Sequence, residues 1–250
     1  MSIKEFKNIE HLRPEMKFNS ESYFNIGGSY LMMKREHYQK FEQAFTEINW
    51  IDDPDGIYNQ VPEGLRIPDS EIPDGLTKVQ TMKLINDYFK ANVPDSFKEV
   101  VNDLLMSDQL AQLHAMFDIK VKFIDLWQGS EGCVWHWDGT DSADALILAY
   151  FSDHRTWKPE FGGQLEIGRR NGSGIGDMGL FTSNIDQEDV ESYGFIPPSQ
   201  RSLVVVNNQN PYLLHRCNLL AEKDIRRVTL TMGLDFVCKE DLSLPSKVIW

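Results

Sequence analysis

Apolar residues recur at helical spacing through "SYLMMKREHYQKFEQAFTEINW" (29–50), at Leu31, Met32, Phe41, Phe45 and Ile48, and predict a helix there. Further helices are predicted over 76–93, with Val79, Met82, Leu84, Ile85, Tyr88 and Phe89, and after Pro94, a residue tolerated in a first helical turn. Between them, 52–75 is rich in Pro, Gly and Asp and reads as a long irregular connection. From residue 119 the period shortens. "IKVKFIDLW", "CVWHWD", "DALILAYFS", "GQLEIG", "RSLVVVNN", "YLLHRC" and "RRVTLTMGLDFV" are β-branched or alternating and are separated by Gly, Asn, Asp or Pro. Many short strands behind a set of helices predict a mainly β member of the α+β class, an antiparallel barrel or double-sheet sandwich with helices packed outside. Residues 1–118 read as a helical and loop support region and 119–250 as the β core, together one domain. The polar, Gly-rich stretch 168–200 reads as a long insertion between two strands, and with 52–75 it is a candidate lid.

Composition narrows the partners. The chain is 41% hydrophobic and 25% charged, ordinary for a folded domain. Its net charge of −13 and pI near 4.9 argue against nucleic acid and against an anionic membrane surface. No apolar run approaches the ~18–20 residues that span a bilayer. The opening "MSIKEFKNIEHLRPEMKF" lacks the apolar core of a secretory signal. Cys133, Cys217 and Cys238 have no close spacing, which suggests a reducing compartment, with cytoplasm the expected location. The three thiols read as inert small apolar side chains.

The chemistry gathers in "EGCVWHWDGT" (131–140). Residues i and i+2 of a strand share a face, so His136 and Asp138 project together while Trp135 and Trp137 point the other way. His215, on the predicted strand "YLLHRC", can supply a third ligand. Two imidazoles and one carboxylate with the remaining positions open suit a non-haem Fe(II) oxygenase. Downstream, Arg227, Thr229 and Thr231 alternate with Arg226, Val228 and Leu230, so one arginine must point inward. An unpaired buried guanidinium is costly and calls for an anionic partner, which a dicarboxylate cosubstrate would supply. Register with the threonine face favours Arg227. On its own, "HWD" could equally be an aspartate orienting a strand histidine. "GSGIGDMG" (172–179) lacks the Lys-Ser/Thr of a phosphate-binding loop and reads as a flexible loop.

In order and approximate spacing, "HWD", "FGGQLEI", "NPYLLH" and "RRVTLTM" resemble the motifs of the Fe(II)- and 2-oxoglutarate-dependent dioxygenases, prolyl 4-hydroxylase-like branch, over roughly residues 119–237. The resemblance implies a double-stranded β-helix (jelly roll) with N-terminal packing helices. It implies His136, Asp138 and His215 as metal ligands, with no catalytic side chain beyond them. It implies Arg227, with Tyr150 and Thr231, as the holders of the far carboxylate of 2-oxoglutarate, and Trp127 and Leu165 as pocket wall. Trp127 stands where many members carry a tyrosine, so that hydroxyl is missing. Fe(II), 2-oxoglutarate and O2 are the implied cofactors, with ascorbate as a supporting reductant. The implied reaction hydroxylates an unactivated C–H bond and converts 2-oxoglutarate to succinate and CO2. Halogenating members lack the carboxylate, which Asp138 retains. The expected substrate is small and amino-acid-like. A prolyl residue of an intracellular protein is the near alternative, and a non-catalytic jelly-roll metal-binding or sensor protein the alternative of another class.

Overall fold

The computed structural model describes residues 12–54, 56, 58–67, 71–115, 117–129, 132–139, 142–171, 189–220 and 225–250. The first half supplies helix α1 (Ser20–Asn25), strand β1 (Gly28–Met32), helix α2 (Arg35–Phe45), strands β2 (Trp50–Asp52) and β3 (Gln60–Pro62), and helices α3 (Lys78–Asn92), α4 (Asp95–Leu105) and α5 (Ala111–His114). The second half is strand: β4 (Phe117–Gln128), β5 (Cys133–His136), β6 (Ala145–Ser152), β7 (Leu165–Arg170), β8 (Val190–Ile196), β9 (Ser202–Asn207), β10 (Leu213–Cys217), β11 (Arg227–Cys238) and β12 (Val248–Ile249). None of the described helices is long and apolar enough to cross a membrane.

Two sheets form a double-stranded β-helix. The larger runs β1-β9-β6-β11-β4-β3-β2, with β12 alongside β4, and the smaller runs β5-β10-β7-β8. Among the described strands the pairings are antiparallel except that of β12 with β4. The apolar run of β6 is buried at every position because it is covered on both sides. Ile147, Ala149 and Phe151 face the helices, with Leu203 and Val205 of β9 and Val228, Leu230 and Met232 of β11. Leu146, Leu148 and Tyr150 face the smaller sheet, packing with Val204, Val206, Leu165, Ile167 and Ile196.

The helices present the complementary stripes. α2 buries Tyr38, Phe41, Ala44 and Phe45, and α4 buries Phe97, Val101, Leu104 and Leu105, each at the spacing of one helix face. Phe45 meets Phe151 edge-on with ring centroids 4.8 Å apart, and Phe41 meets Phe97 at 5.9 Å. α3 starts where Thr77 and Gln80 cap each other reciprocally.

Three expectations are corrected. The helix predicted over 29–50 is shorter: Gly28–Met32 is strand β1, paired with β9 from Gly28↔Val206 to Met32↔Ser202. A short apolar run fits either period, and here a vacant sheet edge decides it. The connection 52–75 contains β3, which pairs β2 and touches the edge of β4. The insertion read at 168–200 is partly sheet, since Val190–Ile196 is β8, paired with β7; the lid and loop readings over 172–188 lie outside the described residues.

β11 carries a bulge between Gly233 and Leu234, and a Cβ at Gly233 would overlap the Phe123 ring lying across it. Gly233→Ala is therefore expected to cost about 1–3 kcal/mol in urea unfolding, the usual penalty for overpacking.

Candidate metal centre and pocket

β10 pairs β5 so that His215 stands directly opposite His136. The two rings lie 4.3 Å apart between centroids. Asp138, just past the end of β5, sends Oδ1 to within 3.4 Å of His136 Nε2 and Oδ2 to within 3.4 Å of His215 Nε2. One donor atom from each of the three lies within 4.8 Å of the others, the single such cluster among the described residues. His136 Nδ1 sits 2.7 Å from the Val134 carbonyl, to which it donates, leaving Nε2 to face Asp138. The donor set of two imidazoles and one carboxylate suits a divalent first-row cation.

The loop after Asp138 is pinned from β9. Asn208 Nδ2 donates to the Gly139 and Ala143 carbonyls, both at 2.7 Å, and the Trp137 indole donates to the Asn208 carbonyl at 2.9 Å. Trp135 points the opposite way, as its alternation requires, and lies 4.8 Å beneath the Arg216 guanidinium.

Electrostatics divide the cluster. Burial disfavours the ionised form of Asp138, but His215 and His136 outweigh it and hold the carboxyl below its usual range. Burial and the neighbouring His136 lower His215 to about 4 despite Asp138. For His136, burial is outweighed by the hydrogen bond and charge of Asp138 and by the Val134 carbonyl, and its pKa is raised.

The triad opens onto a cavity of roughly 460 Å³ between the sheets. The side chains that the family resemblance implied as ligands, carboxylate holders and pocket wall all line it: Trp127, His136, Asp138, Tyr150, Leu165, His215, Arg227 and Thr231. The strand alternation resolves the choice between arginines. Arg226 faces outward to Glu42 at 3.4 Å and Asp153 at 3.3 Å, whereas Arg227 is 1% exposed. Arg227 donates to the Gly163 carbonyl at 2.8 Å and the Gly129 carbonyl at 3.1 Å. A Cβ at Gly163 would come within 2.5 Å of Arg227 Nη1, which accounts for the second glycine of "FGGQL". Among the described residues the polar groups around Arg227 are these two carbonyls and the Cys217 thiol, with the Tyr150 ring 5.9 Å from the guanidinium; none is a carboxylate, and Nε has no hydrogen-bond partner there. Burying a guanidinium costs several kcal/mol; its two charge-assisted carbonyl hydrogen bonds, about 1.5–3 kcal/mol each, offset that cost but leave the positive charge without a carboxylate.

Around it, Thr229 Oγ1, Thr231 Oγ1 and Trp127 Nε1 are buried with no hydrogen-bond partner among the described residues, and the Tyr150 hydroxyl is buried beside the Cys217 thiol. In register, Thr229 lies between Tyr150 on β6 and Trp127 on β4, so these groups form one row across the inner face. Such a concentration of orphaned polar atoms marks a place prepared for a polar ligand.

Sequence reasoning missed several wall residues. Asp125 is one; it shares the inward face of β4 with Phe123 and Trp127. Cys133 and Cys217, read as inert, are register partners across β5 and β10 and line the cavity. The hydrogen bond between them and the charge of Arg227 lower the Cys217 thiol. Tyr58, Pro62, Leu65 and Arg66, from the connection 52–75, line the cavity as well.

No protein-family model matches the chain, and no curated protein matches it. Among solved structures it is similar to the non-haem α-ketoglutarate-dependent epimerase SnoN of nogalamycin biosynthesis, at 9% identity over 86% of this chain and 81% of that one, with a TM-score of 0.50. The carbocyclase SnoK of the same biosynthesis aligns at 10% identity over 90% and 87% of the two chains, TM-score 0.48. A Pseudomonas putida prolyl-4-hydroxylase aligns at 14% over 88% and 96%, TM-score 0.38. The likeness to SnoN is one of fold.

Two outcomes are expected from this geometry. Mn(II) or Ni(II) at a hundredfold excess over its Kd should stabilise the chain by about 2.7 kcal/mol in thermal unfolding, and His215→Ala should abolish that gain. Asn208→Ala, which frees the loop behind Asp138, should cost about 1–3 kcal/mol in urea unfolding and weaken the same cation response.

Proposed function

We propose that the chain is an Fe(II)- and 2-oxoglutarate-dependent dioxygenase that hydroxylates an unactivated C–H bond of a small, amino-acid-like substrate. One observation carries the reading: a His-Asp-His cluster shares a cavity with a buried arginine that has no carboxylate partner among the described residues. A ligand that chelates a cation at one end and carries an anion at the other satisfies both, and 2-oxoglutarate is such a ligand. When bound, the iron, cosubstrate and O2 supply the oxidation, with 2-oxoglutarate leaving as succinate and CO2.

The chain's own residues bind, orient and shield. His136, Asp138 and His215 would hold the metal, with the Val134 carbonyl fixing the tautomer of His136. Arg227 would grip the distal carboxylate with its fork, held in position by the Gly129 and Gly163 carbonyls. Tyr150 and Thr231 have hydroxyls free to donate to the same carboxylate. Leu165 and Leu148 line the cavity between the sheets and give it an apolar wall. The cavity's volume favours a small molecule over a folded protein surface.

The test is an anaerobic titration of the metal-free protein with Fe(II) and then 2-oxoglutarate, followed by the visible charge-transfer band of the chelate. The band should form in the wild type and vanish in His136→Ala and His215→Ala. Arg227→Lys keeps a charge but loses the fork, and should weaken 2-oxoglutarate binding about thirtyfold or more. Metal binding without a chelate, and without succinate formation on any substrate, would instead support a binding or sensor protein. Turnover on proline-containing peptides and not on free amino acids would support the prolyl alternative.

A further inference from the structure

Among the described residues two arginines and two aspartates line the cavity: Arg66, Asp125, Asp138 and Arg227. Asp138 faces the two histidines, and Arg227 awaits an anion. Arg66 is engaged with Asp53 at 3.6 Å and lies over the Tyr58 ring, 5.8 Å from its centroid. Asp125 remains. It sits in the middle of β4, opposite Thr231 of β11, whose hydroxyl is itself unpartnered. Among the described residues no hydrogen bond or ion pair to its carboxylate is formed by a side chain. Its side chain is accessible, yet so surrounded by protein that burial is the largest influence on it and pushes its pKa up; the attraction of Arg66, already shared with Asp53, offsets only part of this.

A carboxylate in a structural role would be paired. Asp125 is accessible from the cavity and is paired by no described side chain, and the wall beside it is aromatic: the Trp127 and Tyr58 rings stack at 5.0 Å with 27° between planes. An unpaired carboxylate next to an aromatic wall is a combination that recognises organic cations.

Building on the dioxygenase reading, we infer that Asp125 anchors a protonated amine of the substrate, whose carbon skeleton lies against the Trp127–Tyr58 stack. The substrate is thus a small primary or secondary ammonium compound. The anchor stands on the larger sheet and the triad on the smaller, so the amine is held from the wall opposite the metal.

The experiment starts from wild-type protein loaded anaerobically with Fe(II) and 2-oxoglutarate. The probes are free L-amino acids and short diamines, each beside its N-acetyl counterpart and its hydroxyl analogue. The readouts are the shift of the chelate band, the change in Tm and, in air, succinate formation. At least one free amine should shift the band and raise Tm, with its N-acetyl and hydroxyl analogues weaker by about thirtyfold or more, the loss expected when a buried charge pair loses one partner. Asp125→Asn should weaken that amine by a similar factor, and Asp125→Glu should recover part of it. Without any amine, Asp125→Asn should melt no lower than the wild type, because an uncompensated carboxylate has been removed. A chelate that responds to no amine, or to amine and N-acetyl amine alike, or an Asp125→Asn variant that binds the amine as tightly, overturns the assignment. Failure to form the chelate in the wild type overturns the dioxygenase reading, and the inference falls with it.

Discussion

The antiparallel pairing of β10 with β5 is the constraint on which the site depends. It sets His215 opposite His136, and a slip of one residue would turn His215 out of the cavity and Arg216 into it. The far face of the smaller sheet guards against that slip. Arg216 stands in register with Glu166 of β7 and pairs with it at 2.5 Å, while its guanidinium covers Trp135 of β5. One side chain thereby ties three strands together. Buried ion pairs return little net stability, because desolvation offsets most of the attraction. A pair that exists in only one register nonetheless selects that register.

The inner face follows a different logic. The helix-facing side of the larger sheet is packed with aromatic and aliphatic groups, and its cavity-facing side leaves Tyr150, Thr229, Thr231, Trp127 and Arg227 with polar atoms unmatched. Each unmatched group lowers stability, and the dense packing on the other side of the same strands offsets the loss. β11 shows both in one stretch: Val228, Leu230 and Met232 join the core while Arg227, Thr229 and Thr231 wait on a ligand.

Much of this was legible because strands have a period of two. That period put His136 with Asp138, separated Trp135 from them, and limited the inward arginine to one of two. The helices α3 and α4 were visible in their apolar spacing. What escaped is what tertiary context decides. Nothing in "GSYLM" distinguishes a strand from the start of a helix until β9 offers it an edge. β2 and β3 are three residues each, too short for any periodicity to register. Asp125 sat in plain alternation within "IKVKFIDLW", but an acid between apolar residues reads as the solvent side of a strand unless the cavity is known. Cys133 and Cys217 are distant in sequence and meet only through the same pairing that joins the histidines.

The order of strands in the larger sheet also governs how the chain comes to be folded. β1 finds its partner in β9, and β4 finds its own in β11, each across more than half of the chain or close to it. Contacts of such sequence separation must be closed against chain entropy before they are rewarded, which makes for slow folding. As synthesis proceeds from the N-terminus, α2 and α4 emerge with their apolar stripes exposed, and the strands that cover them, β6, β9 and β11, come late. Until residue 238 has left the ribosome the sheet lacks its central stitch, and the nascent chain carries an uncovered aromatic surface of the kind that chaperones bind.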